Sequence, residues 1–240
     1  MRAVFKREMR TFFTNPIGYI VLAVLFGLSG WFFYSNNLSG SEYGLGNPDL
    51  SHVFMNLFEI VLLAVPFLTM RLFSEEKQRK TDQALLTAPI SLTGIVMGKF
   101  LATLLLLFIG ISITFVFALI VSTQVSLDWM VFFGNFFGLM MVGGLMISVG
   151  LFISTLTESQ LVSAVVTLAV SVILLFMEQV SFSLLNVAWV QDIVAFLSIS
   201  SRYTEFTAGL IQYDNVIYFL SIQALFLFLT VRVLDRRRWN

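Results

Sequence analysis

The residues that could do chemistry are concentrated in one short segment that begins at Ser74. Two adjacent carboxylates, Glu75 and Glu76, are followed by basic residues, and each carboxylate has a basic residue four positions later, Arg79 and Lys80 respectively. A helix would place both pairs on its surface in the favourable order, with acidic residues in the first turn and a serine at the N-cap. This pattern offers ionic contacts rather than catalysis. Taken alone it favours a solvated loop helix over a docking helix for a soluble partner.

Recognised catalytic motifs are missing from the sequence. Gly98-Lys99 is followed by Phe100, so it cannot complete a phosphate-binding G-x-x-x-x-G-K-[ST] loop. No H-E-x-x-H, no G-x-S-x-G and no acid pair at a catalytic spacing occurs, and the chain has no cysteine and one histidine. The sequence therefore predicts no catalytic residue, no bound cofactor and no metal site in this chain.

One carboxylate, Glu59, lies inside an otherwise apolar stretch. Ionisable residues in membrane spans usually face an interior or a water path and mark function. The alternative is a protonated or hydrogen-bonded carboxylate near the outer third of a span. Because no partner residue is evident, the sequence favours that alternative, and Glu59 is kept as a candidate for the transport pathway.

Composition places the chain in a membrane. Of its 240 residues 58% are hydrophobic and only 12% charged, with a mean hydropathy of +0.91, whereas soluble chains carry about 25% charge. About 20 apolar residues cross a bilayer. Hydropathy predicts six spans, at roughly Ile17–Tyr34, Val53–Leu72, Ile95–Ser122, Trp129–Ile153, Gln160–Met177 and Val216–Val231.

The basic residues predict the orientation of these spans. They cluster at both termini and between spans two and three, with Arg202 as the exception, while many acidic residues fall in the alternate segments. Since basic loops stay in the cytoplasm, we expect both termini and the 74–91 segment to be cytoplasmic. The zero net charge suggests no nucleic-acid partner.

Three segments outside the spans complete a single transmembrane domain over 1–240. Residues 1–15 read as an amphipathic interfacial helix, and 74–91 as a charged helix that continues through Leu86 and ends before Pro89. Residues 178–214 are unusually apolar for an outer loop. Trp189, Ile193, Phe196 and Leu197 fall on one helical face, so we expect a re-entrant pair in the outer leaflet, shielded by protein.

The charged segment also resembles a known family. Its residues Glu75-Glu76-Lys77, Thr81, Leu85-Leu86 and Pro89, followed by Gly98-Lys99, are similar to the E-E-[KR]-x-x-G-T-x-E-x-L-L-x-x-P and G-K pattern of permease subunits of ABC-2 type transporters. Lys80 replaces the usual Gly and Gln83 the usual Glu, and the Lys-Thr-Asp-Gln variant looks like the gliding-motility-type branch. The opening Lys6-Arg7-Glu8 helix, Asn15-Pro16-Ile17 and the stretch from Arg202 to Gly209 extend the resemblance over nearly the whole chain.

The resemblance implies a six-helix half-transporter of the type V exporter kind, paired with a second permease copy or a relative. Two separate ATPase subunits, which hold ATP and Mg, would bind from the cytoplasm. The 74–91 segment would then be the coupling helix, with the terminal helix as the second contact and the 178–214 segment as an outer gate that includes Trp189 and Phe196. The coupling residues implied are Glu75, Glu76, Lys77, Arg79, Lys80, Thr81, Leu85, Leu86 and Pro89.

The sequence thus predicts a non-catalytic permease of the bacterial cytoplasmic membrane, in contact with the lipid bilayer, that exports a hydrophobic or amphiphilic substrate. The alternative is a six-span scaffold or secondary carrier that acts without an ATPase. A carrier should show internal repeats and midplane ionisable groups. Beyond Glu59 the sequence offers little of either.

Overall fold

The computed structural model describes residues 1–39, 49–81, 91–184, 194 and 198–239, and within these ranges the chain is helical and has no strand. Each of the six predicted spans coincides with a helical segment long and apolar enough to cross a membrane, so the all-α six-span fold is confirmed. The segments in the described ranges are Pro16–Leu38, Ser51–Gln78, Leu92–Ser122, Trp129–Leu156, Gln160–Met177 and Tyr213–Arg238.

The chain opens with helix α1, Arg2–Thr14, which buries Val4 and Phe12 against the bundle. Asn15 is extended, and Pro16 occupies the first turn of α2, Pro16–Phe33. Proline suits that position because its missing N–H would have no partner there. Asn15 and Pro16 therefore separate α1 from α2, and α2 continues as a π-helical turn over Tyr34–Leu38.

The second span is α3, Ser51–Thr69, and it leads through a short turn into α4, Ser74–Gln78. Pro66 lies inside α3, close to its end. The third span is made of α5, Leu92–Ile111, and α6, Ile113–Ser122. The Ser91 side chain accepts a hydrogen bond from the Gly94 amide, so α5 begins with a serine cap directly after Ser91.

Helix α7, Trp129–Leu156, is the centre of the bundle. It packs against α3, α5 and the helices at the chain's end, and 78% of its most apolar stretch is buried. The corresponding stretches of α8, Gln160–Leu184, and α10, Tyr213–Trp239, are only 22% and 17% buried. Both helices therefore present wide apolar faces to whatever surrounds the protomer.

Gly134 and Gly138, one helical turn apart in α7, form a close helix contact. A Cβ added at Gly138 would lie 2.7 Å from the Phe206 Cβ, so a larger residue would push the two helices apart. Phe206 belongs to α9, Ile199–Thr207, a short helix that packs on α7 near its start. We call this end, which carries Asp49, Asp128 and Glu205, the acidic end of the bundle. The opposite end, with Arg7, Lys77 and Lys99, is the basic end.

Candidate functional site

The most charged part of the structure lies at the basic end, where α1, α4 and the first turns of α5 meet. Lys99 is its centre and is only 1% exposed. Its ammonium lies 2.9 Å from Glu8 Oε1 and 3.1 Å from Glu76 Oε1, and it also donates to the carbonyl oxygen of Leu72. An ammonium has three N–H donors, so these three acceptors satisfy the buried charge completely. The ring of Phe73 covers it at 4.9 Å.

Arg7 closes this cluster from the solvent side. Its guanidinium lies 2.9 Å from Glu8 Oε1 and also contacts Glu76 Oε1, while its side chain stays 49% exposed. We call Arg7, Glu8, Glu76 and Lys99 the charge cluster. Buried charges are tolerated when each is paired and hydrogen-bonded, and the cluster meets that condition with residues from three separate elements.

The pairing shifts the pKa of both Glu8 and Arg7. Burial acts to raise the pKa of Glu8, but the attraction of Lys99 and hydrogen bonds from Lys99 and Arg7 outweigh it, so the pKa of Glu8 falls below its ordinary value. Burial acts to lower the pKa of Arg7, but the hydrogen bond to Glu8 and the attraction of Glu76 raise it overall. Both residues are therefore held in their charged forms.

Helix α4 is fixed to the end of α7 as well. The Ser154 hydroxyl accepts hydrogen bonds from the amides of Phe73 and Ser74, at 3.0 and 3.1 Å. The expectation that Ser74 caps the helix is wrong, because the N-cap residue is Phe73 and the Ser74 hydroxyl donates back to the carbonyl oxygen of Met70. The capping oxygen comes instead from a residue 80 positions away, which local sequence cannot reveal.

Lys77 ties the same two helices together. Its ammonium donates to the carbonyl oxygen of Thr155 and lies 3.4 Å from that of Thr157. These carbonyls are at the C-terminus of α7, where a positive charge is favourable. The pair between Glu75 and Arg79, at 2.8 Å, is the predicted i,i+4 contact and is confirmed; the Arg79 side chain is 71% exposed.

The charged helix is shorter than predicted. It ends at Gln78, since Lys80 adopts a left-handed conformation with φ 55°; the predicted continuation beyond Thr81 lies outside the described residues. The Lys80 amide donates to Lys77 O and the Thr81 amide to Glu76 O, at 2.9 Å each. Those two bonds define a Schellman ending, whose left-handed position is usually glycine. The family pattern has glycine at this position, and that signal could have predicted the ending.

This ending also changes one predicted ion pair. Lys80 leaves the helix and is exposed, so it does not pair with Glu76, whose carboxylate turns inward to Lys99 and Arg7. Leu85, Leu86 and Pro89, the remaining predicted coupling residues, lie outside the described residues.

Glu59 lies on an exposed face of α3. Met55, Leu63 and Phe67 are on the same face and are also exposed, at 37%, 42% and 46%. Residues four apart share a helix face, so Glu59 points away from its own protomer. The expected hydrogen bond from a neighbouring helix is not made by any described residue of this chain.

At the acidic end, α9 is anchored in protein. Tyr203 is completely buried, stacks on Phe58 with the ring centroids 4.7 Å apart, and donates to the Phe54 carbonyl oxygen at 3.3 Å. Helix α9, in the second half of the 178–214 segment, therefore packs on α3 as well as α7. Trp189 and Phe196, the predicted gate residues, lie outside the described residues, and the gate stays a prediction.

Arg202 is the basic residue that sequence clustering left unexplained. Its guanidinium lies 4.1 Å from the ring of Tyr218 and donates to Asn215 Oδ1 at 2.8 Å, while Asn215 in turn donates to Glu205. This network joins α9 to α10, so Arg202 has a structural role at the acidic end that the sequence did not indicate.

Fold and site together define a multi-pass membrane protein whose charged elements are joined at one end of a helical bundle. A family model, described as ABC-2 family transporter protein, matches residues 2–239, and the chain therefore belongs to that family. Its members are membrane subunits, generally non-catalytic, that normally work with ABC ATPases. No curated protein matches the chain significantly.

Proposed function

We propose that this chain is the membrane subunit of an ATP-driven exporter whose ATP and Mg are bound by separate ATPase subunits. The observation that carries the proposal is the attachment of α4 to several spans at once. It follows α3 directly, reaches α5 through Glu76 and Lys99, and reaches α7 through Lys77 and Ser154. A push on α4 would therefore be transmitted to three spans.

The ATPases would dock on the exposed part of this assembly. Arg79, Lys80 and the solvent-facing side of Arg7 are exposed at the basic end, and the ion pairs of the charge cluster join α1 to α4. Charged residues at the rim of an interface steer association and fix its register. We assign the contact with the ATPases to α1 and α4, and the basic end to the cytoplasm of a bacterial cell by the distribution of basic residues.

A second permease copy, or a related permease, would complete the transporter. The apolar faces of α8 and α10 and the Glu59 face of α3 are uncovered in the protomer. A carboxylate facing lipid is unfavourable, whereas one facing a partner helix or a water path is not. We therefore place Met55 and Glu59, the part of this face nearer the acidic end and outside the groove between α2 and α3, against the partner or the export path. An amphiphilic or hydrophobic substrate suits a path with so few charged groups.

Co-purification tests the proposal. The tagged chain, extracted from its native membrane, should bring with it a separate chain carrying G-x-x-x-x-G-K-[ST], and the complex should hydrolyse ATP. An unrelated tagged six-span protein from the same membrane is the control. If no ATPase accompanies the chain and its transport activity persists without ATP, the protein acts as a carrier or scaffold instead.

A further inference from the structure

We propose that the basic end of the protomer binds one anionic phospholipid, with the lipid phosphate beside Arg71 and one acyl chain in an apolar groove between α2 and α3. The inference concerns this chain alone. It does not depend on which substrate is exported, and its crosslinking test uses the chain without an ATPase.

The polar half of the site is a cavity of about 210 Å³ beside the charge cluster. Among the described residues, its charged lining consists of four basic and three acidic side chains, which leaves one positive charge in excess. These side chains are Arg7, Arg71, Arg79, Lys99, Glu8, Glu75 and Glu76.

Arg71 carries the excess charge. All three acidic side chains are engaged by Arg7, Arg79 and Lys99 in five ion pairs, and Arg71 takes part in none of them. Glu75 and Glu8 attract Arg71 electrostatically without a hydrogen bond among the described residues. A phosphodiester carries a single negative charge, so one phospholipid headgroup would balance the cavity.

The position of Arg71 is set by packing. The residue is 6% exposed, and its guanidinium carbon lies 5.6 Å from the centre of the Phe12 ring. Its Nη2 is buried and has no hydrogen-bond acceptor in the described structure. A buried donor without an acceptor is costly, and the planar guanidinium fork matches the paired oxygens of a phosphate.

The same cavity contains an unsatisfied acceptor. Glu76 Oε2 is buried and receives no hydrogen bond from the described residues, although Oε1 of the same carboxylate is paired twice. A headgroup that brings both phosphate oxygens and a hydroxyl would satisfy Arg71 and Glu76 together. Phosphatidylglycerol has this combination.

The apolar half of the site is a groove of about 480 Å³ between α2 and α3. Every side chain that lines it is apolar; they include Ile17, Val21, Ile60, Leu63, Phe67 and Met70. From Ile60 to Met70 a helix rises about 15 Å, and half of the hydrocarbon core of a bilayer is also about 15 Å thick. The groove therefore has the length of one acyl chain in one leaflet.

The polar cavity and the apolar groove are lined by residues that are neighbours in the sequence. Met70, at the end of the groove, directly precedes Arg71, and Ile17 lies in the first turn of α2, just after α1, whose last turns contain Phe12. Basic pockets between membrane helices on the cytoplasmic side are typical sites for anionic headgroups. An acidic protein segment could also balance Arg71, but it would leave the adjoining groove empty, so the observations favour a lipid.

Photocrosslinking of the wild-type chain tests the site without a mutation. The full chain would be placed in nanodiscs of phosphatidylcholine with a trace of phosphatidylglycerol that carries a photoreactive group in its acyl chain. Crosslinks should map by mass spectrometry to 17–28 and 60–70. Unlabelled phosphatidylglycerol should compete, whereas phosphatidylcholine and millimolar inorganic phosphate should not.

Two matched variants then assign the headgroup contact. Arg71→Gln should weaken phosphatidylglycerol competition by about tenfold, the lower end of what a hydrogen bond to a charged group contributes. Arg10→Gln removes the same charge from an exposed position of α1 outside the cavity and should leave competition unchanged.

Four results would overturn the proposal. Equal competition by phosphatidylcholine would remove the headgroup selectivity, and displacement by inorganic phosphate would make the cavity a site for the free anion. Crosslinks spread over all spans would indicate ordinary bilayer contact. Loss of ATPase association in Arg71→Gln with unchanged lipid competition would identify the cavity as a protein-docking surface.

Discussion

Lys99 and Glu8 form an ion pair with 2.9 Å between the ammonium nitrogen and the carboxylate oxygen, although 91 positions separate them in the chain. The pair fixes the N-terminal helix to the third span at a point where Gly98 allows close approach, since a Cβ added there would lie 3.1 Å from the Val4 side chain. A buried pair of this kind makes the position of α1 depend on α5. Removing either charge should therefore produce a measurable change in the free energy of unfolding.

Lys99→Met should be strongly destabilising. It leaves Glu8 and Glu76 with Arg7 as the nearby cation, and breaking a buried ion pair from one side costs about 3–5 kcal/mol. Glu8→Gln is the second single variant. The double variant should lose less stability than the sum of the two single losses, with a coupling free energy of about 1–3 kcal/mol. Reversible unfolding in mixed micelles measures all three free energies; additive losses would mean that the two side chains do not interact.

Stability should fall in acid because of Glu8. The pKa of Glu8 in the folded chain lies below its ordinary value of 4.5, so the stabilising contribution is complete above pH 4.5 and is lost as the pH falls through the lower folded value. Glu8→Gln removes this titrating group and should unfold with a weaker dependence on pH in that window. Identical pH profiles for wild type and variant would show that Glu8 is not held by its basic neighbours.

Lys80→Gly should stabilise the protein. Lys80 has φ 55°, and a residue with a Cβ in this conformation costs roughly 1–2 kcal/mol that glycine avoids, part of which is offset by the greater freedom of glycine in the unfolded chain. Lys6→Gly makes the same chemical change at an exposed position inside α1 and should destabilise by about 1 kcal/mol. Thermal unfolding shows whether each variant is more or less stable than the wild type. A loss of stability in both variants would contradict a strained Lys80.

The sequence predicted the spans well because each span depends on a local property, a long apolar run that needs no knowledge of its neighbours. The charge cluster could not be predicted in that way. Lys99 was visible as a lysine in the first turns of an apolar helix, and Glu8 as an acid in a basic helix, but their pairing is tertiary. Ser154 is a similar case, since a lone serine in α7 gives no sign that it caps α4.

The end of α4 shows the opposite situation. The ABC-2 permease pattern has glycine where this chain has Lys80, so the sequence contained a signal for the end of this helix. Helix propensity and i,i+4 pairing favoured continuation through Leu86, and the left-handed turn at Lys80 overrode both. Because Lys80 lies outside the helix, Glu76 does not pair with it and instead pairs with Arg7 and Lys99 in the charge cluster.

The predicted topology can be tested on the cysteine-free chain. Ser39 and Thr81 are exposed residues; Ser39 directly follows the first span, and Thr81 lies just after the second. Each can be replaced by a single cysteine. A membrane-impermeant maleimide should label Ser39→Cys in intact cells and Thr81→Cys only after the membrane is opened, because the basic end stays inside. Labelling of both positions in intact cells would exclude the six-span orientation proposed here.

Docking of the ATPases should depend on Arg79 more than on Glu76. Glu76 belongs to the charge cluster, so reversing its charge would disturb the fold, whereas the Arg79 side chain is 71% exposed and its helix pair with Glu75 contributes little to stability. Arg79→Glu should therefore keep wild-type unfolding behaviour while it weakens ATPase association by about tenfold, with a stronger dependence on salt.

Arg237→Glu makes the same charge reversal in the exposed last turn of α10, outside α1 and α4, and should bind the ATPase normally. Titration of the purified ATPase against each reconstituted variant gives the affinities. If both reversals weaken association equally, the basic end attracts its partner by charge alone and α4 has no specific docking role.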